Sequence, residues 1–348
     1  MTDSLSEKSR NLVGWFRENW ANKLQFSTAV ALILMIVLQT LALGFDFDSV
    51  GDWFLTWIQN WINILRNNAS IGIVALGMTF VILSGGIDLA VGSTVVAVGA
   101  FIMVLIDIGP QGFLSKIGIT GVPVYILAVL LGILFGALLG KFNGILITYG
   151  KLPPFIATLG TMKIFRSVTQ HFMQGYNPEV PKPFLKIASL EMGGMLLMPI
   201  FYWLILAVIL HIVSLKTTFG RQVTAVGSNE KATRLSGVNV NKIKRGVYTL
   251  MGALVGVAAV VQVSRIGAMD YANAGSGYEM DAISSVIVGG TSMSGGRGTI
   301  IGTVLGTLII AVMNNLLNLL GVPPFLREAF KGVIVIGAVL LQKKESKA

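Results

Sequence analysis

The chain has 348 residues, 54% of them hydrophobic and only 12% charged, with a mean hydropathy of +0.77. A water-soluble domain carries about 25% charged residues, so this composition excludes an ordinary soluble globule and predicts an all-α, polytopic membrane protein. The net charge of +10 sits mostly in loops and termini beside apolar runs, which argues for membrane topology and against nucleic acid; with no cysteine and two histidines, thiol chemistry, disulfides and an HExxH-type metal site are excluded.

In chain order, residues 1–25 mix acids and bases and form a cytoplasmic N-terminal segment, in which Asn11–Trp20 reads either as a short interfacial helix or as an aromatic flank. Apolar runs at 26–45, 68–84, 91–109, 122–141, 198–215, 246–264, 298–320 and 324–341 are each near the length that spans a bilayer as a helix. Two less regular stretches, 154–174 and 279–290, bring the expected count to ten segments within a permease domain of residues 26–341, followed by a cytoplasmic tail at 342–348. The stretch 51–66, with Trp53, Trp57 and Trp61, is expected along the outer interface or over the outer mouth of the bundle. The proline-rich stretch Tyr176–Met195 is the longest outer connection and a candidate surface for an external partner.

The segment 216–245 holds seven Lys/Arg and one acid, Glu230. A loop so basic stays in the cytoplasm, and the resulting charge asymmetry places both termini there too. Within it, Gly227–Gly237 is too ordered in pattern for a tether and suits docking of a soluble partner.

Asp88 lies between two apolar spans with almost no loop, after Gly85 and Gly86, which let the backbone break. An acid at such a place either faces a polar path or caps the following helix. Thr158 and Thr161, after Pro153-Pro154-Phe155, share one helix face and either meet hydroxyls of a polyol or bridge neighbouring helices. Asn143, Asn314, Asn315 and Asn318 either join helices or line a path, the first three being taken for the path. With Ser84, Ser93 and Phe155 from the same segments, these residues form the candidate substrate path. Lys163, Arg166, His171, Arg327, Glu328 and Lys331 are unexpected charges in apolar surroundings, where they pair, snorkel or line a cavity. Gly85-Gly86…Gly92 and Pro153-Pro154-Phe155 are echoed by Gly289-Gly290…Gly296 and Pro323-Pro324-Phe325. No GxxxxGK[ST] loop or catalytic cluster occurs, so the chain reads as a non-enzyme without cofactor or metal.

Gly77–Ser93, Pro154–Met162, Phe219-Gly-Arg221, Ala225–Asn229, Leu235–Val240 and Tyr278–Thr299 together resemble, in order over residues 65–340, the permease subunits of bacterial ABC importers for monosaccharides of the ribose/galactose/xylose type. The resemblance implies a plasma-membrane permease paired with a second permease copy or paralogue, cytoplasmic ABC ATPase subunits and an extracytoplasmic solute-binding protein. It further implies that the basic loop carries a coupling helix, here Gly227, Asn229, Glu230, Lys231, Ala232, Thr233, Ser236 and Gly237. Lys231 stands where the family pattern commonly has Glu, and Thr233 where it commonly has Ala. The alternative to this importer is an ion-coupled secondary transporter, for which Asp88 is the candidate ion ligand.

Overall fold

The computed structural model describes residues 23–44, 49–109, 112–118, 121–192 and 195–345. The expected segment Asn11–Trp20 therefore lies outside the described residues. The fold is all-α apart from a two-strand hairpin, β1 (Glu191–Met192) with β2 (Met195–Leu196). In chain order the helices are α1 (Lys23–Leu43), α2 (Val50–Leu83), α3 (Val91–Ile106), α4 (Phe113–Lys116), α5 (Val122–Thr148), α6 (Pro154–Met173) and α7 (Lys182–Ser189). They continue as α8 (Met198–Lys216), α9 (Thr218–Ser228), α10 (Glu230–Leu235), α11 (Val240–Ile266), α12 (Tyr278–Val288), α13 (Ile300–Leu319) and α14 (Pro324–Glu345). Among the described residues, α2, α5, α8, α11 and α13 are long and apolar enough to cross a membrane, and α1 and α3 hold shorter apolar stretches.

One element differs from the expectation. The tryptophan-bearing stretch and the following span are a single 34-residue helix, α2, of about 51 Å. No Gly or Pro stands between Asp52 and Ile71, so nothing breaks the backbone where the composition changes. Ser49 starts the helix by accepting from the Asp52 amide. Trp53 donates to the Gly44 carbonyl and Trp57 to the Thr40 hydroxyl, tying the start of α2 to the end of α1. The Tyr176–Met195 connection is likewise more than a loop: α7 lies within it and buries Phe184 and Ala188. Asp107, at the end of α3, accepts from Tyr176 Oη and the Glu179 amide and so anchors this connection.

The core is built from the second half of α2, α3 and α11, whose inward side chains are almost completely buried. The most extensive helix–helix contact is that of α5 with α11. Gly132, Gly136, Gly140 and Gly144 recur every fourth residue on α5; Gly136 and Gly140 face Gly252 and Gly256 of α11, Gly144 faces Arg245 and Tyr248, and Gly132 faces Ile102 of α3. A Cβ at Gly140 would lie 2.1 Å from the Tyr248 carbonyl oxygen, and one at Gly252 would lie 2.1 Å from that of Gly136. The opposite face of α5, with Ile126, Leu130, Leu134 and Leu138, is exposed and apolar, as a lipid-facing stripe must be.

Candidate functional site

Two glycine breaks organise the site. At the first, α2 ends at Ser84; Gly85 has φ +78° and the Gly86 amide returns to the Val81 carbonyl at 3.0 Å. At the second, α12 ends at Gly289, Gly290 has φ +90° and the Thr291 amide returns to the Val286 carbonyl at 3.1 Å. The two breaks therefore share one local structure, a helix stop followed by an irregular stretch, with Gly85 of the first equivalent to Gly290 of the second, one residue out of register with the glycine pairs. The two Pro-Pro-Phe sequences also play one part, since Pro154 and Pro324 open α6 and α14.

Asp88 is 3% exposed. Its carboxylate accepts from the Ala90 amide at 2.9 Å and from the Asn143 side chain, closing the turn that leads into α3. The Ile87 carbonyl accepts from Tyr248 Oη of α11 at 3.2 Å and, more weakly, from Thr158 Oγ1 of α6 at 3.4 Å. Ser84, Gly85, Gly86, Asp88, Asn143 and Thr158 are thus brought together around one turn. Their hydroxyls are largely engaged by backbone: Ser84 donates to Val81, Ser93 to Ala90, Thr158 to Pro154 and Thr161 to Thr158. Phe155 is half exposed on the first turn of α6. Asn314 and Asn315 are not part of this cluster. Asn315 exchanges amide hydrogen bonds with Asn60, which lies about 34 Å up the α2 axis from Leu83. Tyr248 was not singled out by sequence reasoning; the only signal was a lone tyrosine in an otherwise aliphatic stretch.

The charges of α14 are used structurally. Arg327 donates to the Val322 carbonyl and the Asn318 side chain, bracing the α13–α14 turn. Lys331 bridges Glu328 and the buried Asp281 of α12, at 2.9 and 2.8 Å. Among the described residues no cluster of three or more His, Asp or Glu is placed to hold a metal.

The basic segment forms a helical hairpin, α9 and α10, with a cap at each start. Thr217 accepts from the Gly220 amide and Asn229 from the Ala232 amide. Thr233 is 7% exposed and donates to the Ala225 and Asn229 carbonyls, which fixes α10 against α9. An alanine there would lack this tie. Glu230 pairs with Lys244 at 2.7 Å and Arg234 at 2.9 Å. The hydrogen bond from Lys244 holds the Glu230 carboxyl below its ordinary range, and Arg234 adds to this. Gly237, with φ +81°, turns the chain away. Lys231, Ala232, Arg234, Leu235, Ser236 and Gly237 are left facing outward, and Leu235 is 90% exposed. Thr233 and Gly227, by contrast, face inward. Arg234 and Leu235 are surface residues absent from the coupling set that the resemblance implies.

The hairpin and the two breaks meet through their backbones. The Gly296 amide donates to the Leu83 carbonyl at 3.0 Å. A Cβ at Gly227 would lie 1.7 Å from the Leu83 oxygen and 2.7 Å from the Gly296 nitrogen. The last turn of α9 therefore rests directly on the end of α2 and on the irregular stretch that follows α12, with no side chain between the backbones.

Residues 60–339 match the family described as branched-chain amino acid transport system / permease component. The chain is 41% identical over 305 residues to the ribose import permease protein RbsC of Bacillus subtilis, covering 82% of this chain and 85% of that one. It is 36% identical over 337 residues to RbsC of Escherichia coli K12, covering 95% and 97%. The D-allose transport system permease protein AlsC of E. coli K12 is 34% identical over 306 residues, covering 86% and 88%. No solved structure gives a significant match. The ordered motifs, the multi-pass helical fold and these likenesses agree: the chain belongs to this permease-component family and is a membrane-embedded translocation subunit of an ABC importer.

Proposed function

We propose that this permease carries a monosaccharide, D-ribose before others, delivered by an extracytoplasmic binding protein and driven by a cytoplasmic ATPase docked on α9–α10. The carrying observation is the contact of Gly227 with Leu83 and Gly296, which joins a solvent-facing hairpin to two helix breaks. An ATPase that binds the hairpin differently in its nucleotide states biases the breaks by that difference in affinity, which is what coupling requires. The exposed Leu235, flanked by Lys231 and Arg234, supplies an apolar anchor within a basic rim. Ten membrane segments, cytoplasmic termini and a paired permease complete this reading. The ribose preference rests on the two ribose permeases, which cover most of the chain at 36% and 41% identity. An ion-coupled mechanism gains no support from Asp88, whose carboxylate is engaged by Ala90 and Asn143.

The test is reconstitution in liposomes with the ATPase and binding protein that purify with the chain. ATP-dependent D-ribose uptake, with hydrolysis stimulated by the loaded binding protein, is the expected result. Uptake that follows an ion gradient without ATP would overturn it.

A further inference from the structure

The unexpected charges of α6 lead away from the Asp88 turn to a second polar place. Arg166 reaches the irregular stretch 267–277, donating from Nη1 to the Ala274 carbonyl at 2.6 Å and toward that of Tyr271 at 3.4 Å. Glu279, in the first turn of α12, and Asp270 lie within electrostatic range of its guanidinium. Beside them is a cavity of about 240 Å³ whose walls include Ser93, Lys163, Arg166, Ser276 and Glu279. That is the liquid volume of about eight waters, the scale of a pentose or hexose.

Three observations set this cavity apart. Its walls converge one carboxylate, two cations and the Ser276 hydroxyl beside Ser93, whose own hydroxyl donates to the Ala90 carbonyl, and Lys163 joins none of the ion pairs found among the described residues. Its floor is broken backbone: a Cβ at Gly92 would lie 2.1 Å from the Gly275 carbonyl oxygen, so the 267–277 stretch sits directly on the first turn of α3. The 11 residues of α12 reach only about 16 Å, half the hydrocarbon thickness of about 30 Å. Non-helical backbone at such depth is tolerated where it is packed in protein or lines a watered route, and broken helices are where transporters hold polar solutes. The third observation is contrast. A larger cavity of about 610 Å³ is walled mainly by side chains such as Phe101, Phe135, Leu139, Phe142 and Phe165, which offer nothing to a hydroxyl. At the Asp88 turn the hydroxyls of Ser84, Thr158 and Thr161 are already engaged by backbone carbonyls.

We propose that the Ser93–Lys163–Ser276–Glu279 pocket is a hydrogen-bonding subsite for a neutral monosaccharide in transit. Glu279 accepts from a vicinal pair of sugar hydroxyls, while Lys163 and Ser276 donate to sugar oxygens. Arg166 is a positioning residue that holds the 267–277 stretch and balances Glu279. A few charge-assisted bonds in a watered pocket orient the solute without trapping it. The inference rests on the importer reading above.

The test uses the complete transporter in liposomes with D-ribose, D-allose and D-xylose as probes. Glu279→Gln keeps the side-chain shape and removes one acceptor and the charge. It is expected to lower uptake about tenfold while binding-protein-stimulated ATP hydrolysis stays within about twofold of wild type. Unchanged uptake overturns the proposal, and so does a parallel fall in uptake and hydrolysis, which marks Glu279 as structural. Because the chain has no cysteine, Ser276→Cys gives a single thiol as a second probe. Its expected reaction with a charged, water-soluble methanethiosulfonate blocks uptake and is slowed by the transported sugar. A thiol that does not react, or reacts without effect, contradicts the subsite. Wild-type protein that takes up none of the three sugars with ATP overturns the importer reading and the subsite with it, whereas the variant results bear on the pocket alone.

Discussion

Glycines serve opposite ends in two regions of this molecule. Along the α5–α11 seam, Gly136, Gly140, Gly252 and Gly256 let two continuous helices touch backbone to backbone over several turns. Where Leu83, Gly227 and Gly296 meet, backbone also touches backbone, but the helices there are interrupted and one partner belongs to the α9–α10 hairpin. Regular helices satisfy their own hydrogen bonds, so the seam is held by dispersion over a long, uniform contact and has one arrangement. The junction is as tight but short, joining the last turn of α9, the end of α2 and the irregular stretch after α12. The difference teaches that close packing fixes a structure only where it is continuous. The proposed coupling assigns movement to the three-way junction, where the helices are interrupted.

The comparison is broken most forcefully at the seam. Gly140→Leu has no room, because even its Cβ meets the Tyr248 carbonyl oxygen, so a loss of about 3 kcal/mol or more is expected. The readout is the yield of monodisperse protein in detergent and its thermal unfolding; normal yield and midpoint would contradict a close-packed seam. Leu235→Asp tests the hairpin at its outer face. Burying a carboxylate in place of an anchoring leucine should weaken ATPase association by about 1–3 kcal/mol while leaving the chain's own unfolding unchanged. Pull-down of the ATPase with purified permease measures this, and undiminished association would remove Leu235 from the interface.

The smallest effect belongs to Glu230→Gln. Glu230 is partly exposed, so the lost pairs with Lys244 and Arg234 should cost less than about 1 kcal/mol. Its carboxyl is held below the ordinary range in the folded hairpin. The stabilisation is therefore present above the unfolded carboxylate value and lost as pH falls through the lower folded value. Thermal unfolding as a function of pH should show wild type and variant converging in acid. A gap that widens in acid would contradict the pairing.

The membrane character and most helices were legible because a run of about 20 apolar residues has few other fates. The continuity of α2 was not legible from hydropathy, since Arg66-Asn67-Asn68 lowers the apolar signal without breaking a helix. The hairpin was partly legible: Asn229 and Gly237 are ordinary punctuation for a helix start and a chain reversal. Its contact with Leu83 and Gly296 joins positions 144 and 69 residues away in sequence, which no local pattern encodes. The same is true of Arg166 with Ala274 and Glu279. The α5 glycines, by contrast, carried a readable four-residue spacing whose partner face only the structure supplies. Asn315 was grouped with Asp88 by residue type, yet the length of α2 separates them.

The most direct test of the central claim is the number of ATP molecules hydrolysed per sugar imported by Gly227→Ala in the reconstituted transporter. A single methyl there must displace Leu83 or Gly296, while the docking face around Leu235 is untouched. The account predicts an assembled complex that still hydrolyses ATP but imports about tenfold less sugar per ATP. A stoichiometry equal to wild type would contradict the junction as the route by which the hairpin moves the broken helices.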